Sequence, residues 1–374
     1  MKPRLPRESD FRGAAHSPRV ATRVGLALAV TFGLCFLTGL LSHLIQHPPH
    51  WFTWPSRPVS LYRLTQGTHV ISGIASIPLL AAKLWSVYPE LFTRPALRSA
   101  THALERLSVL ALVGSALFEL VTGLLNVTQN YPWPFFFPPV HYAVGWIAVG
   151  SIILHVGLKL PVARAALAPE HPVAPVGTTV SRRAFLRTTA TSTGVAVLAT
   201  AGATIPALRH VSPLKWRSDQ GSRGLPVNRT ATAAGVVAAA TDPDWRLEIS
   251  TPAGTTSLSR AGLAALPQTT VDLPIACVEG WSRTATWTGV AFTDLLHAIG
   301  ARPGSEVRVS SLETTGIYST SVLPGTHTAD PLTVLALDLN GAPLDLDHGY
   351  PCRVIAPNRP GVLQTKWVSR LETA

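Results

Sequence analysis

Four long apolar stretches alternate with polar connections in the first half of the chain. They cover roughly residues 24–46, 67–88, 106–126 and 140–162. Each is close to the ~20 residues that an α-helix needs to cross the hydrocarbon core of a bilayer. The pattern therefore predicts a bundle of four transmembrane helices.

The second half of the chain shows short alternating or β-branched runs separated by turns, a pattern that predicts strands. Helical patterns there are limited to about 259–266 and 291–299, and residues 209–240 have the composition of a linker. This half therefore predicts a mixed α+β, strand-rich domain. The predicted strands are WRLEIS, TTVDLPIAC, EVRVSSLE, YSTSVLP, TVLALDL, CRVIAP and KWVSRLE.

These patterns predict a multi-domain chain, an all-α transmembrane bundle followed by a strand-rich α+β domain. We expect a basic tail at 1–23, the helix bundle at 24–167, a connecting segment at 168–210 and the strand-rich domain at 211–374.

The charge is distributed unevenly along the chain. Residues 1–187 hold 17 Lys and Arg against 6 Asp and Glu, whereas residues 188–374 hold 14 of each. The whole net charge of +11 therefore lies in the apolar half. A protein that binds nucleic acid would carry its basic excess on a folded domain, so we expect no nucleic-acid partner. Three cysteines are also too few for a disulfide framework.

The positions of the basic residues orient the predicted helices. The first and third connections between the apolar stretches hold only Arg57 and Arg63. Since Lys and Arg concentrate on the cytoplasmic side, we expect a multi-pass protein of the cell membrane with a cytoplasmic N-terminus. The other fifteen basic residues of this half are Lys2, Arg4, Arg7, Arg12, Arg19, Arg23, Lys83, Arg94, Arg98, Arg106, Lys159, Arg164, Arg182, Arg183 and Arg187.

The outer connections are rich in aromatic residues and proline, as in WFTWP and YPWPFFFPP. Trp and Tyr are enriched where a protein crosses the membrane–water interface. We therefore expect these aromatic segments to lie at that interface.

A paired-arginine motif follows the fourth apolar stretch. The sequence SRRAFLR, from Ser181 to Arg187, precedes a weakly hydrophobic run that is rich in Thr, Ala and Gly and ends near Leu208. It resembles a twin-arginine export signal. The alternative is an ordinary fifth span with a basic flank. Either interpretation places the residues after about 210 outside the cytoplasm.

Histidines at the ends of the apolar stretches suggest metal ligation, because ionisable residues at membrane depth are costly and usually functional. His141 and His155 are 14 residues apart, which on a helix places them within about 40° of one face and about 21 Å apart along the axis. One helix could therefore supply an axial imidazole to each of two haems. Candidate partners are His69 or His43 on the outer side and His102 on the inner side. The alternative is a pair of interfacial histidines with ordinary hydrogen bonds.

The four apolar stretches resemble the cytochrome-b-type membrane subunits of formate dehydrogenases and nickel–iron hydrogenases. The matching features are Thr38-Gly39 in the first stretch, His69 in the second, and the pair His141 and His155 in the fourth. This family's inner haem usually takes a histidine from the start of the first span, where this chain has none. The resemblance implies one or two b-type haems and a quinone or another membrane redox partner.

Two motifs in the strand-rich half resemble the molybdenum-binding domain of the sulfite oxidase family. The first is ACVEGWS followed by WTGV, and the second is LNGAPLDLDHGYPCRVIAPNRPGVLQTKWVSRLE. The resemblance implies that Cys277 binds molybdenum and that a molybdopterin cofactor is held by further residues. By their positions in the second motif these are His348, Arg353, Gln364, Thr365 and Lys366, and the resemblance adds Thr314 in SLETTG and Asn228 in LPVNRT.

Taken together, these resemblances imply a membrane-anchored molybdopterin oxidoreductase of the sulfite oxidase type. It would transfer an oxygen atom or two electrons to or from a small oxyanion or sulfoxide, on the outer side of the membrane. Electrons would pass through haem b to the quinone pool or another carrier. The alternative is a non-enzymatic haem b electron carrier or sensor with a degenerate pterin domain.

Overall fold

The computed structural model describes residues 13–92, 99–169, 181–217 and 221–373. Most of the basic tail and the basic residues Arg94 and Arg98 lie outside the described residues. The chain divides into two compact units. The first holds Met1–Leu40, Thr68–Ala201 and Val211–Leu214, and the second holds Leu41–Gly67, Gly202–His210 and Lys215–Ala374.

Five helices precede the strand-rich part of the chain. Among the described residues, four of them are long and apolar enough to cross a membrane. Each is longer than the predicted apolar stretch, because flanking polar residues such as Arg19 and Arg63 continue the helical turns. The helices are α1 (Pro18–Gln46), α2 (Leu61–Val87), α3 (Ala100–Val127), α4 (Phe137–Leu167) and α5 (Arg182–Thr200).

Helix α5 contains the paired arginines at its N-terminus. The side chain of Ser181 accepts a hydrogen bond from the backbone N–H of Ala184 and caps the helix. Its Thr, Ala and Gly content leaves it outside the set of four helices that could span a membrane. After α5 the chain folds back, and the backbone N–H of Leu214 donates to the carbonyl of Ala199 at 2.8 Å.

The second unit contains two five-stranded sheets. In the first the order is β2-β1-β10-β5-β6, with β1 and β10 parallel and the other pairs antiparallel. In the second the order is β3-β4-β7-β8, and β9 also pairs with β7. The strands are β1 (Arg246–Thr251), β2 (Gly254–Ser259), β3 (Gln268–Ala276), β4 (Ser282–Ala291), β5 (Val307–Ser311), β6 (Thr320–Leu323), β7 (Val334–Leu339), β8 (Ala342–Pro343), β9 (Arg353–Ile355) and β10 (Val368–Thr373).

Five short helices complete this unit. Helix α9 packs Phe292, Leu295 and Leu296 into a fully buried apolar cluster with side chains from both sheets, including Ile249 and Val354. The short helices are α6 (Ala231–Ala234), α7 (Val237–Ala240), α8 (Arg260–Ala265), α9 (Phe292–Ala298) and α10 (Gly325–Thr328).

The predicted fold class is confirmed, since four apolar helices precede a strand-rich sheet domain. Each of the seven predicted strand segments contains a strand, and both predicted helices are present. Sequence analysis missed β2, β8 and the ten-residue β4, whose sequence SRTATWTGVA alternates but contains Gly, Ala and five polar residues. The stretch interpreted as a linker contains α6 and α7, which are too short to give a periodic signal.

Candidate functional site

Cys277 lies directly after β3, in a tight turn that ends at Trp281. The backbone N–H of Cys277 donates to the carbonyl oxygen of Trp281 at 2.9 Å. Cys277 is 3% exposed, and its Sγ accepts a hydrogen bond from Nδ2 of Asn228 at 2.8 Å. Oδ1 of Asn228 accepts in turn from Nε1 of Trp281 at 3.1 Å. The amide of Asn228 is thus oriented with its donor toward the sulfur.

The electrostatic surroundings of Cys277 keep its thiol protonated when no metal is bound. Burial raises the pKa of this thiol, and the carboxylate of Glu279 raises it further. The hydrogen bonds from Asn228 and from the backbone N–H of Glu279 favour the thiolate and oppose this rise. A soft metal that binds this sulfur therefore takes the thiolate and releases the proton to solvent.

His348 joins two segments of the second unit. Its Nε2 donates to the carbonyl oxygen of Leu225 at 3.0 Å, while its Nδ1 lies 2.9 Å from Oδ1 of Asp345 and 3.1 Å from Oγ of Ser222. The hydroxyl of Ser222 also donates to the carboxylate of Asp345. The buried imidazole therefore fixes the segment 222–225 against the turn 345–348.

Arg353 is a buried cation without a carboxylate partner among the described residues. It is 5% exposed, and its Nη1 and Nη2 donate to the carbonyls of His348 and Gln364 at 3.0 and 3.2 Å. Its Nε is buried without a hydrogen-bond partner. Burial lowers the pKa of Arg353 to about 9. A buried charge of this kind is costly unless an anion binds it.

Lys366 is the second cation of this region, and it too forms no ion pair within the described parts of the chain. Its Nζ donates to the carbonyls of Arg229 and Asp347. Burial, and after it the positive charge of Arg353, lower the pKa of Lys366 to about 7. Two neighbouring cations that lack carboxylates match the phosphate group of a pterin cofactor, which forms charge-assisted hydrogen bonds with such groups.

The remaining residues that the resemblance named have different surroundings. Gln364 and Thr365 are 1% and 3% exposed, and Oε1 of Gln364 is buried without a partner. The hydroxyl of Thr365 lies 2.7 Å from Oγ of Ser321. Thr314 instead lies exposed on the loop between β5 and β6, and the structure does not bring it into contact with the other named residues. Among the residues that the resemblance named, Arg353 and Gln364 therefore each have a buried polar side-chain atom without a hydrogen-bond partner.

In the helical unit the structure brings His69 of α2 and His141 of α4 together. Their ring centres are 6.4 Å apart. Nδ1 of His69 lies 2.8 Å from the carbonyl oxygen of Cys35, and Nδ1 of His141 lies 3.1 Å from Oε2 of Glu119. Within the described residues, Nε2 of either ring has no hydrogen-bond partner. Metal-binding histidines characteristically use one ring nitrogen for such a carbonyl or carboxylate and leave the other for the metal.

Two of the other candidate haem ligands, His43 and His155, are not part of this pair. The ring of His43 lies 4.9 Å from the ring of His47, one turn further along the chain. His155 is half-buried on α4, and its charged neighbours are Lys83, Lys159 and Glu105.

Sequence analysis did not identify two residues that organise the site, Asp345 and Ser222. Asp345 stands three residues before His348, and its side chain accepts a hydrogen bond from the His348 backbone N–H. That spacing is typical of a residue that caps a helical turn and could have identified Asp345. Ser222 carries no comparable signal, because its contact with Asp345 joins segments far apart in sequence.

Comparisons with known proteins agree with this geometry. Residues 234–374 match the family described as "Oxidoreductase molybdopterin binding domain". Mitochondrial sulfite oxidase of Drosophila melanogaster is 30% identical over 156 residues, which are 35% of this chain and 27% of that protein. The NADPH nitrate reductase of Fusarium oxysporum is 36% identical over 94 residues, 24% of this chain and 10% of that protein.

A third relative has a name that refers to a sulfoxide. The protein named "Putative protein-methionine-sulfoxide reductase subunit YedZ1" of Azospira oryzae is 32% identical over 109 residues, 29% of this chain and 40% of that protein. This chain therefore spans less than half the length of each of these three relatives. The match over residues 234–374, the cations without carboxylate partners and the turn at Cys277 agree, and the C-terminal part of the chain is similar to oxidoreductase molybdopterin-binding domains and to mitochondrial sulfite oxidase.

Proposed function

We propose that this protein is a membrane-anchored molybdopterin oxidoreductase that exchanges electrons through haem b with the quinone pool or another membrane carrier. The observation that carries the proposal is a pair of cations without carboxylate partners, the buried Arg353 and the partly buried Lys366, in the same domain as a buried cysteine whose sulfur faces an amide donor. The substrate is a small oxyanion or sulfoxide, in keeping with the names of the relatives. Sulfite, nitrate and methionine sulfoxide are therefore the compounds to test first.

The proposed roles of the residues follow from their surroundings. Cys277 holds the metal, and Asn228 orients and stabilises the thiolate. Arg353 and Lys366 bind the phosphate of the pterin, while Gln364, Thr365 and the loop fixed by His348 shape the cavity around it. Thr314 is left as a candidate contact on the exposed loop. When bound, the molybdenum–pterin group supplies transfer of an oxygen atom or of two electrons, and haem supplies transfer of single electrons.

The pair His69 and His141 supports an outer haem. The facing rings of these two histidines, with centres 6.4 Å apart, would hold a haem iron between them, and the haem would supply transfer of single electrons. The carbonyl of Cys35 and the carboxylate of Glu119 hold Nδ1 of each ring and leave Nε2 for iron. His155 is proposed as a ligand of a second, inner haem. His43, which stacks near His47, is proposed only as the competing outer ligand.

The proposed topology has a cytoplasmic N-terminus and the molybdopterin domain on the outer side. The distribution of Lys and Arg supports the first part. The second part is supported by hydrogen bonds between the connection that joins α1 to α2 and the molybdopterin domain, such as Nε1 of Trp54 to the carbonyl of Asn358 at 2.7 Å. Both segments must lie on the same side of a membrane for such bonds to form. The paired arginines at the start of α5 are proposed as a twin-arginine export signal for the domain that follows.

The experiment that tests the proposal uses the full chain purified into lipid nanodiscs. Molybdenum, pterin and haem are quantified, and haem absorbance is followed after mixing with sulfite, nitrate or methionine sulfoxide. We expect molybdenum in the wild type and a change of haem absorbance with one of these compounds. Cys277→Ser should abolish that response and keep the haem, because oxygen replaces the soft sulfur ligand.

Cys352→Ala is the matched control for this experiment. Cys352 is a second buried cysteine of the same domain, and it lies in the apolar cluster. Its removal should leave the haem response in place. A wild type that binds haem but no molybdenum would refute the enzymatic proposal in favour of an electron carrier or sensor.

A further inference from the structure

The connection between α1 and α2 belongs to the same compact unit as the molybdopterin domain. We call residues Leu41–Gly67 the strap, because the second unit contains them together with Lys215–Ala374. The strap lies outside the region 234–374 that matches the molybdopterin family. Its contacts with that region are polar and specific, and they reach the turn of Cys277.

Asn358 binds the middle of the strap with all of its polar side-chain atoms. Its Nδ2 donates to the carbonyl of Pro55 at 2.7 Å, and its Oδ1 accepts from the backbone N–H of Tyr62 at 2.6 Å. The carbonyl of Asn358 accepts from Nε1 of Trp54 at 2.7 Å. Asn358 is 2% exposed and has a left-handed backbone with a φ of 53°, which asparagine tolerates better than most residues. Without the strap, these buried groups would have no partner.

A salt bridge provides a second attachment. Nε and an Nη of Arg57 donate to the two carboxylate oxygens of Asp330 at 2.8 and 2.9 Å. Asp330 is 6% exposed. Bidentate pairs of this kind fix orientation as well as distance. The strap is therefore held at two points that are far apart in the strand-rich domain's sequence.

The C-terminal end of the strap reaches the cysteine turn. Nε2 of Gln66 donates to the carbonyl of Val278 at 2.9 Å, directly next to Cys277. The ring of Tyr62 is 1% exposed and packs against Ala276, on the other side of Cys277. The hydroxyl of Tyr62 lies 3.0 Å from Oγ of Ser42, also in the strap. The residues on both sides of the metal-binding cysteine are thus in contact with the strap.

A second tyrosine links the strap to the same region from the domain side. The hydroxyl of Tyr318, on the loop between β5 and β6, donates to Oε1 of Gln46 at 3.1 Å. The domain therefore contacts the strap through Gln46 as well as through Gln66.

We propose that the strap is an integral wall of the molybdenum site, in which Gln66 and Tyr62 are positioning residues that hold the turn from Ala276 to Val278. This inference rests on the proposed function, because it takes Cys277 as the metal ligand. The geometry of the cysteine sulfur then depends on a segment that lies more than 150 residues before the family's domain.

The test compares Gln66→Met with wild type in the full chain loaded with molybdenum. Methionine keeps the length of the side chain and removes the donor to Val278. We expect an unchanged molybdenum content, an altered Mo(V) electron paramagnetic resonance spectrum, and a fall in kcat of about 10- to 100-fold, as for residues that orient metal ligands. Leu64→Ala, on the same helical turn and 66% exposed, is the matched control and should leave spectrum and kcat unchanged.

A second variant tests the docking of the strap without disturbing the cysteine turn. Arg57→Met removes the salt bridge to Asp330, and the Arg57 side chain is 52% exposed, so folding is preserved. Hydrogen–deuterium exchange of residues 47–60 should accelerate at least threefold, while the central strands stay protected. An unchanged Mo(V) spectrum and kcat in Gln66→Met, or unchanged exchange in Arg57→Met, would overturn the proposal. Absence of molybdenum from the wild type would instead refute the proposed function.

Discussion

The helical unit and the strand-rich domain differ in how much of their apolar side-chain surface is exposed. In the described part of residues 221–373, the only large apolar side chains that are exposed are Val237, Ile317 and Val322. The helices expose many, among them Leu110 at 68% and Ile153 at 68%. The strand-rich domain therefore gains its stability from burying apolar surface away from water, whereas the helices present theirs outward, as a lipid-facing surface requires.

This contrast determines where specific interactions are found. The inner face of the helices combines apolar residues such as Phe32 and Leu80 with polar groups such as Ser76, whose hydroxyl donates to Oγ1 of Thr31 at 2.8 Å. In lipid there is no hydrophobic gain from helix association, so close packing and hydrogen bonds hold helices together. A residue that breaks the pattern, such as His69 or Glu119, therefore points to function rather than to folding.

The largest expected effect is loss of the outer haem on removal of either ligand from the helical unit. His141→Ala and His69→Ala should each abolish its low-spin signal, because one axial imidazole is missing. The strand-rich domain should keep its molybdenum. Pyridine haemochrome analysis and optical spectra measure the haem content and its low-spin signal, and metal analysis measures the molybdenum content. If His43→Ala alone removes the outer haem, the pairing of His69 with His141 is wrong. His155→Ala should remove the proposed inner haem and leave the outer one.

The paired arginines should affect the location of the strand-rich domain but not the membrane insertion of the helices. Arg182→Lys combined with Arg183→Lys should leave the strand-rich domain in the cytoplasm while the four helices still insert, because the proposed twin-arginine signal serves only the domain that follows it. Protease accessibility in spheroplasts reports the location of the domain. Normal exposure of the double variant would support an ordinary fifth span instead.

Truncation of one apolar residue in each region should give unequal losses of stability. Phe292→Ala, at a fully buried position, should destabilise the strand-rich domain by about 3–5 kcal/mol through lost burial and a cavity. Leu110→Ala on the outer surface of α3 should change stability by less than about 0.5 kcal/mol. Pulse proteolysis in nanodiscs measures both. Equal losses would contradict the contrast between the two regions.

Glycine positions on α1 offer a finer comparison within the helical unit. A Cβ at Gly39 would lie 2.8 Å from Cε1 of His69, whereas a Cβ at Gly33 would have no atom within 4 Å. Gly39→Ala should therefore displace the imidazole and shift the optical spectrum or potential of the outer haem, with the haem retained. Gly33→Ala should have the spectrum of the wild type. Identical spectra for the two variants would show that the ring of His69 is not confined.

The smallest effect concerns the charge of Lys366 in the cofactor-free domain. Its pKa is lowered to about 7 from an ordinary value of 10.5, so between these values the unfolded chain binds more protons. Stability should therefore rise as pH increases from 7 toward 10.5, and below pH 7 the full cost of the buried charge remains. In Lys366→Met this rise should be absent, a difference of roughly 1 kcal/mol, because Lys366 is only partly buried and water screens the exposed part of its side chain. Urea unfolding across this pH range measures it.

Sequence periodicity predicted the fold class because long apolar stretches and short β-branched runs are local signals. It failed for β4, whose small and polar residues are explained only by the partners on either side, β3 and β7. The motif at Cys277 was recognisable from local sequence. Thr314 was named only because SLETTG resembles a segment of the family, and it lies on an exposed loop. The aromatic segment WFTWP was expected at the membrane–water interface, yet the indole of Trp54 binds Asn358. No local pattern reveals a partner that lies 304 positions away.

The contact between Asn358 and the strap has a consequence for the order of assembly. The bond from Asn358 to Pro55 joins residues 303 positions apart, so it closes a loop that contains most of the chain. Contacts of such high sequence separation form late, after local structure. The strap is synthesised first and stays without its partner until the strand-rich domain has folded and arrived. Maturation of the cysteine turn therefore ends with a docking event, and a cofactor bulky enough to need an open site enters before that event.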